Sequence, residues 1–180
     1  MINVPVINTE RFTMRPFTIA DFKTFAKFYA SDRSIYSGGI AGEESSWRML
    51  ACEIGHWQLR GYGRWAVEDK ATGKLAGNVG LWCPNGWPEP EIGYDIYDGF
   101  VGRGYATEAA LEARRYAYDK LGWPTVISLI KPQNEPSKKV AQRIGARFEK
   151  VFTHERFGET EIWRHVPAAD LQQGGMDIYA

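Results

Sequence analysis

The stretch "EIGYDIYDGFVGRGYATEAALEARRYAYDKLG", residues 91–122, constrains the chain more than any other. It opens with period-two alternation, breaks at two glycines flanking Arg103, and resumes with alanines at helical spacing. Ala106, Ala109, Ala110, Ala113 and Ala117 form a small-residue face that lets a helix approach a sheet closely. A strand, a glycine turn and a helix therefore follow one another, and "GWP" stops the helix.

The flanks supply the rest of the fold. Phe12, Met14 and Pro16 alternate with polar neighbours and predict a first strand over 9–17. Thr18 with Asp21 forms a variant capping box, after which Phe22, Phe25, Ala26 and Tyr29 recur at helical spacing. The break "YSGGIAG" leads to a second helix near 43–59. "RWAVEDK" and "KLAGNVGLWC" around "ATG" read as a hairpin, and "EPEIGYDIY" as the next strand after the loop "PNGWP". Past the central helix, "TVISLI" suits a buried strand. Asn134 caps a helix of about ten residues that tolerates Pro136 in its first turn and stops at Gly145. "RFEKVFTHERF" and "TEIWRHV" close the domain as a hairpin around "GE". This order predicts an α+β or α/β fold with a mixed sheet flanked by helices. With 180 residues, 44% of them hydrophobic, the chain suits a single core over 1–166. The polar tail 167–180 is expected to be loose unless a partner subunit orders it.

Lys plus Arg and Asp plus Glu each number 22, so no global field draws in nucleic acid or an anionic membrane. Cys52 and Cys83 stand far from any metal-ligand spacing, which points to no metal, no disulfide framework and a reducing cytoplasm. No segment has the run of apolar residues that a membrane span requires. The expected partner is small or locally recognised.

At a strand-to-helix junction the first backbone N–H groups lack intrahelical partners and carry the positive end of the helix dipole. The turn at Gly102, Arg103 and Gly104 can thus receive an anion such as a diphosphate; the plainer alternative is a turn whose glycines supply only permitted dihedrals. The triphosphate-binding pattern fails, because Tyr105 and Ala106 follow Gly104 where Lys and Ser or Thr are needed. "GYGRWA" has dinucleotide spacing but precedes a strand. Before the turn, Glu89, Glu91 and Asp95 share one face, expected to be wet, and Ile92, Tyr94 and Ile96 the other. Trp87 and Glu89 in "CPNGWPEP" offer an aromatic wall and a carboxylate for a cationic amine. Lys138, Lys139 and Arg143 read as a solvated basic face or a contact for a ribose phosphate. His56, His154 and His165 are scattered and suit packing.

Four segments taken together carry a resemblance. "TERFTMRPFTIADF", "RWAVEDKATGKLAGNVGL", "EIGYDIY" with "FVGRGYATEAA", and "PQNEPSKKVAQRIGARFEK" resemble, in order, the GNAT superfamily of N-acetyltransferases, most closely the RimJ/RimL-like branch. The resemblance covers roughly residues 9–166. It implies a mostly antiparallel, splayed sheet of six to seven strands with about four helices, and acetyl-CoA as cosubstrate. Its pyrophosphate would lie on the backbone of Gly102, Arg103, Gly104, Tyr105 and Ala106, its pantetheine arm beside Tyr94 and Ile96, with Asn134 nearby. Gly104 and Ala106 match the family pattern at the turn, whereas Val101 replaces the usual Gln or Arg.

The resemblance further implies acetyl transfer to an amine, which attacks only when neutral. A lysine amine is neutral in about one molecule in 2500 at pH 7, and an α-amine in roughly one in ten. A carboxylate base would therefore help, and Glu91 stands where many relatives place one, with Glu89 a second possibility. Ser137 matches a serine proposed to protonate the departing thiolate. The expected activity is direct acetyl transfer to a protein N-terminal α-amine or a small-molecule amine, with no covalent enzyme intermediate. The alternative is a non-catalytic CoA-binding or protein-interaction module on the same fold. The terminal hairpin also offers edges through which a homodimer could form.

Overall fold

A computed structural model describes residues 3–155 and 157–172. Its centre is one eight-stranded sheet in the order β1-β2-β3-β4-β5-β6-β8-β7. The strands are β1 (Ile7–Asn8), β2 (Phe12–Arg15), β3 (Arg64–Asp69), β4 (Leu75–Trp82), β5 (Glu91–Ile96), β6 (Ile127–Ile130), β7 (Arg147–His154) and β8 (Gly158–Arg164). Every neighbouring pair is antiparallel except β5 with β6. The helices are α1 (Phe22–Tyr29), α2 (Glu43–Arg60), α3 (Tyr105–Asp119), α4 (Glu135–Arg143) and α5 (Ala168–Gln172). The α+β reading holds. The strand beyond the expected six or seven is the two-residue β1, too short to show a period.

Each layer follows from the side-chain pattern. β4 is buried on both faces because helices cover both. Ala109, Ala110, Ala113 and Ala117 are fully buried, so the alanine stripe of α3 lies on the sheet as its spacing demands. Phe12, Met14, Trp65, Val67, Val79 and Ile92 fill that interface. α1 and α2 cover the opposite face, where Phe17, Phe25, Phe28, Tyr29, Leu50 and Tyr97 form a second cluster. The capping box at Thr18 is present, with Asp21 accepting the Thr18 N–H at 2.8 Å.

The beginning of the tail departs from expectation. Residues 168–172 form α5, seated by the Ala168 N–H on the Pro124 carbonyl at 2.9 Å. The remainder of the tail, including "GG" at 174–175, lies outside the described residues.

Candidate active site

The site begins where the sheet stops being a sheet. β5 and β6 share one opposed pair, Glu91 with Ile127, joined by the Ile127 N–H and the Pro90 carbonyl at 3.2 Å. A parallel ladder continued past this pair would send the Leu129 N–H to the Ile92 carbonyl. Instead Leu129 donates to Oε2 of Glu91 at 3.0 Å, and the Ile92 carbonyl accepts the Ser128 hydroxyl at 2.8 Å. Two side chains thus satisfy the Leu129 N–H and the Ile92 carbonyl that the ladder leaves open. Nε2 of His165 lies 3.0 Å from the same Ser128 oxygen. The hydroxyl proton goes to Ile92, so His165 donates from Nε2. Burial, reinforced by Arg114 and Arg164, lowers its pKa to about 3 and keeps it neutral.

Beyond the split lies a cleft of about 540 Å³. Tyr94, Asp95 and Ile96 of β5 line one wall, Asn134, Ser137, Lys139 and Arg143 another, and Gly102, Gly104, Tyr105, Ala106 and Thr107 its end. Gly102 and Gly104 have φ of +75° and +80°, a region costly for residues with a Cβ. Gly104 caps α3 without a side chain, and the first bond of the helical pattern is Glu108 N–H to Gly104 carbonyl at 3.1 Å. The N–H groups of Tyr105, Ala106 and Thr107 are thereby left for another acceptor. Oγ1 of Thr107 is buried and has no hydrogen-bond partner. Three backbone donors at the positive end of a fifteen-residue helix can receive an anion.

Other predicted residues take different parts. The Tyr105 side chain turns into the core, its hydroxyl on Asp69 at 2.5 Å and its ring against Phe12 and Phe100. Arg103 is exposed, its guanidinium 5.8 Å from the Phe100 ring centre, and its side chain is outside the cleft lining. Asn134 accepts the Ser137 N–H at 3.3 Å as the cap of α4. Tyr94 donates to the Ser137 carbonyl at 2.8 Å, tying α4 to β5. The basic face divides: Lys138 pairs with Glu161 and Glu135, whereas Lys139 and Arg143 line the cleft.

The face of β5 expected to be wet is instead a buried polar cluster, because α1 and α2 pack over it. The Arg64 guanidinium lies 3.3 Å from Asp95, 3.7 Å from Glu53 and 3.9 Å from Glu91. Tyr29 and Ser37 donate to Asp95, and Asn78 to Glu53 at 3.2 Å. Burial raises the pKa of all three carboxyls, with Arg64 opposing the rise. Asp95 and Ser37 also line the cleft, so the cluster reaches it.

Glu91 sits behind the cleft lining, with Oε1 on the Trp87 indole N–H at 3.0 Å and Oε2 on Leu129. Trp87 packs edge-on against His154 and Phe157 beneath the β7–β8 turn. Glu89 is held by both terminal nitrogens of Arg164, at 2.6 and 2.7 Å, and this pairing lowers its pKa. Sequence reasoning missed Thr107 and Ser128. A hydroxyl at the third position of a glycine-capped helix was the available sign of Thr107; Ser128 carried none, since its role depends on where two distant strands diverge.

Comparison with known proteins agrees with this fold. The acetyltransferase from Agrobacterium tumefaciens str. C58 has a similar structure, with TM-score 0.84 and 34% identity over 92% of this chain and 96% of that one. The uncharacterized N-acetyltransferase YnaD of Bacillus subtilis is 26% identical, over 81% of this chain and 85% of its own length. The uncharacterized protein YkkB of the same organism is 35% identical over 104 residues, a match that spans 53% of this chain and 60% of YkkB. Residues 11–147 match the acetyltransferase (GNAT) domain. The chain therefore belongs to the GNAT acetyltransferases, of the RimJ/RimL type, and is an acetyl-CoA-dependent N-acetyltransferase.

Proposed function

We propose that this acetyltransferase passes the acetyl group of acetyl-CoA directly to a primary amine, either a protein N-terminal α-amine or a small-molecule amine. The observation that carries the cofactor half of this reading is the α3 N-terminus, whose three open N–H groups suit a diphosphate, with the unpartnered Thr107 hydroxyl in the same first turn. Tyr94 and Ile96 would flank the pantetheine arm, Asn134 would lie beside it, and Lys139 and Arg143 offer charge to the ribose phosphate. Acetyl-CoA supplies an activated acyl carbon and a thiolate leaving group.

The chain's own groups manage the protons. Glu91, directly or through water, takes the proton of the acceptor amine; support comes from its burial, which raises its pKa above the usual carboxylate range. Trp87 both holds that carboxylate and forms an aromatic wall for the acceptor, with Glu89 beside it fixed by Arg164. Ser137 protonates the thiolate; support comes from its place in the cleft lining, where its hydroxyl forms no hydrogen bond among the described residues. Incubating the protein and acetyl-CoA with a panel of amines and peptides of differing first residue, while reading released thiol, tests the proposal. Turnover with at least one acceptor is expected. Tight CoA binding without turnover on any of them would point to a binding module.

A further inference from the structure

The turn that would hold the diphosphate has Val101 where a polar side chain is usual, and Val101 supplies no donor. A polar side chain reaches the turn from elsewhere. Arg11, at the start of the chain, donates from one terminal nitrogen to the Arg103 carbonyl at 2.6 Å. Its Nε and other terminal nitrogen meet Glu108, in the first turn of α3, at 2.7 and 2.5 Å. The guanidinium also lies 4.9 Å from the Tyr105 ring centre. A Cβ on Gly104 would stand 3.3 Å from it. Arg11 is itself anchored, its carbonyl accepting the Lys70 N–H at 3.0 Å.

These contacts act on the turn in two ways. The peptide joining Arg103 to Gly104 is planar and trans, so holding its carbonyl on Arg11 fixes the Gly104 N–H in the opposite direction. Glu108 would otherwise place an uncompensated carboxylate one turn from a bound anion, and Arg11 neutralises it. Arg11 stands outside the cleft lining and touches none of the proposed reacting atoms.

We propose that Arg11 is the positioning residue of the diphosphate turn, bracing it from the outer side in a chain whose position 101 is apolar. The inference rests on the diphosphate reading above, and the experiment separates the two. Dissociation constants are measured by calorimetry for coenzyme A and for pantetheine, which lacks the diphosphate and nucleotide, on the wild type, Arg11→Ala and Arg11→Lys. Arg11→Ala is expected to weaken coenzyme A binding about tenfold while leaving pantetheine within about twofold of wild type. Arg11→Lys, which keeps the charge but not the fork, falls between the two and remains informative if the alanine variant does not fold. Unchanged coenzyme A affinity in both variants, or equal loss on both ligands, overturns the role of Arg11. A wild type that binds coenzyme A no more tightly than pantetheine overturns the diphosphate reading itself.

Discussion

Leu129 donates its N–H to the carboxylate of Glu91 at 3.0 Å, the bond that a regular parallel ladder would have given to Ile92. One side chain thereby ends a strand pairing and sits buried at the start of the resulting split, behind the cleft lining. Glu91→Gln retains an acceptor for Leu129 but turns its NH2 toward the Trp87 indole N–H, so the fold is expected to persist with a lowered melting temperature and coenzyme A affinity near wild type. As the proposed base, its loss should lower kcat at least about a hundredfold. Steady-state kinetics beside a thermal melt checks this, and full activity in a folded Glu91→Gln protein would remove Glu91 from the chemistry.

Trp87 tunes the same group. Its indole N–H favours the ionised carboxylate, so Trp87→Phe keeps an aromatic ring and raises the Glu91 pKa further. Activity requires the ionised base, and the acidic limb of the kcat/KM profile should move to higher pH. An unmoved limb counts against Glu91 as the titrating base.

Thr107 carries a hydroxyl that is buried and unpartnered in the free protein. Thr107→Val removes that orphan at nearly constant shape, so the melting temperature should hold or rise. Coenzyme A affinity should nevertheless fall by about tenfold to a hundredfold, since a hydrogen bond to a charged group contributes about 1.5–3 kcal/mol. Calorimetry and a melt read the two opposing signs.

The Arg64 cluster predicts a pH dependence. Burial raises the pKa of Glu53 above its unfolded value, so between the two values the folded chain holds the proton that the unfolded chain has released. Stability from this group is complete below the unfolded carboxyl pKa of about 4.3 and is lost as pH rises through the folded value. Melting temperatures taken at rising pH should fall in the wild type and fall less in Glu53→Gln. Equal slopes would contradict the assignment.

The fold was legible where pattern is local. The alanine stripe of α3, the alternation in β2 and the cap at Asn134 each follow from spacing within a single element. The glycines at 102 and 104 likewise announce their positive φ. What could not be read depends on partners far along the chain. Asp95 seemed solvated until Tyr29, Ser37 and Arg64, from three other segments, closed over it. Glu89 looked available to an amine until Arg164, 75 residues away, took both oxygens. The bracing of the turn by Arg11 spans 92 residues and left no periodic trace.

The central claim is that the open N–H groups at the start of α3 receive the diphosphate of acetyl-CoA, and calorimetric titration of coenzyme A into Gly104→Glu tests it most directly. Gly104→Ala serves as control, because it introduces the same backbone strain at φ +80° without a charge. A carboxylate there should abolish detectable binding while the alanine variant retains it. Wild-type affinity in a folded Gly104→Glu protein would contradict the account.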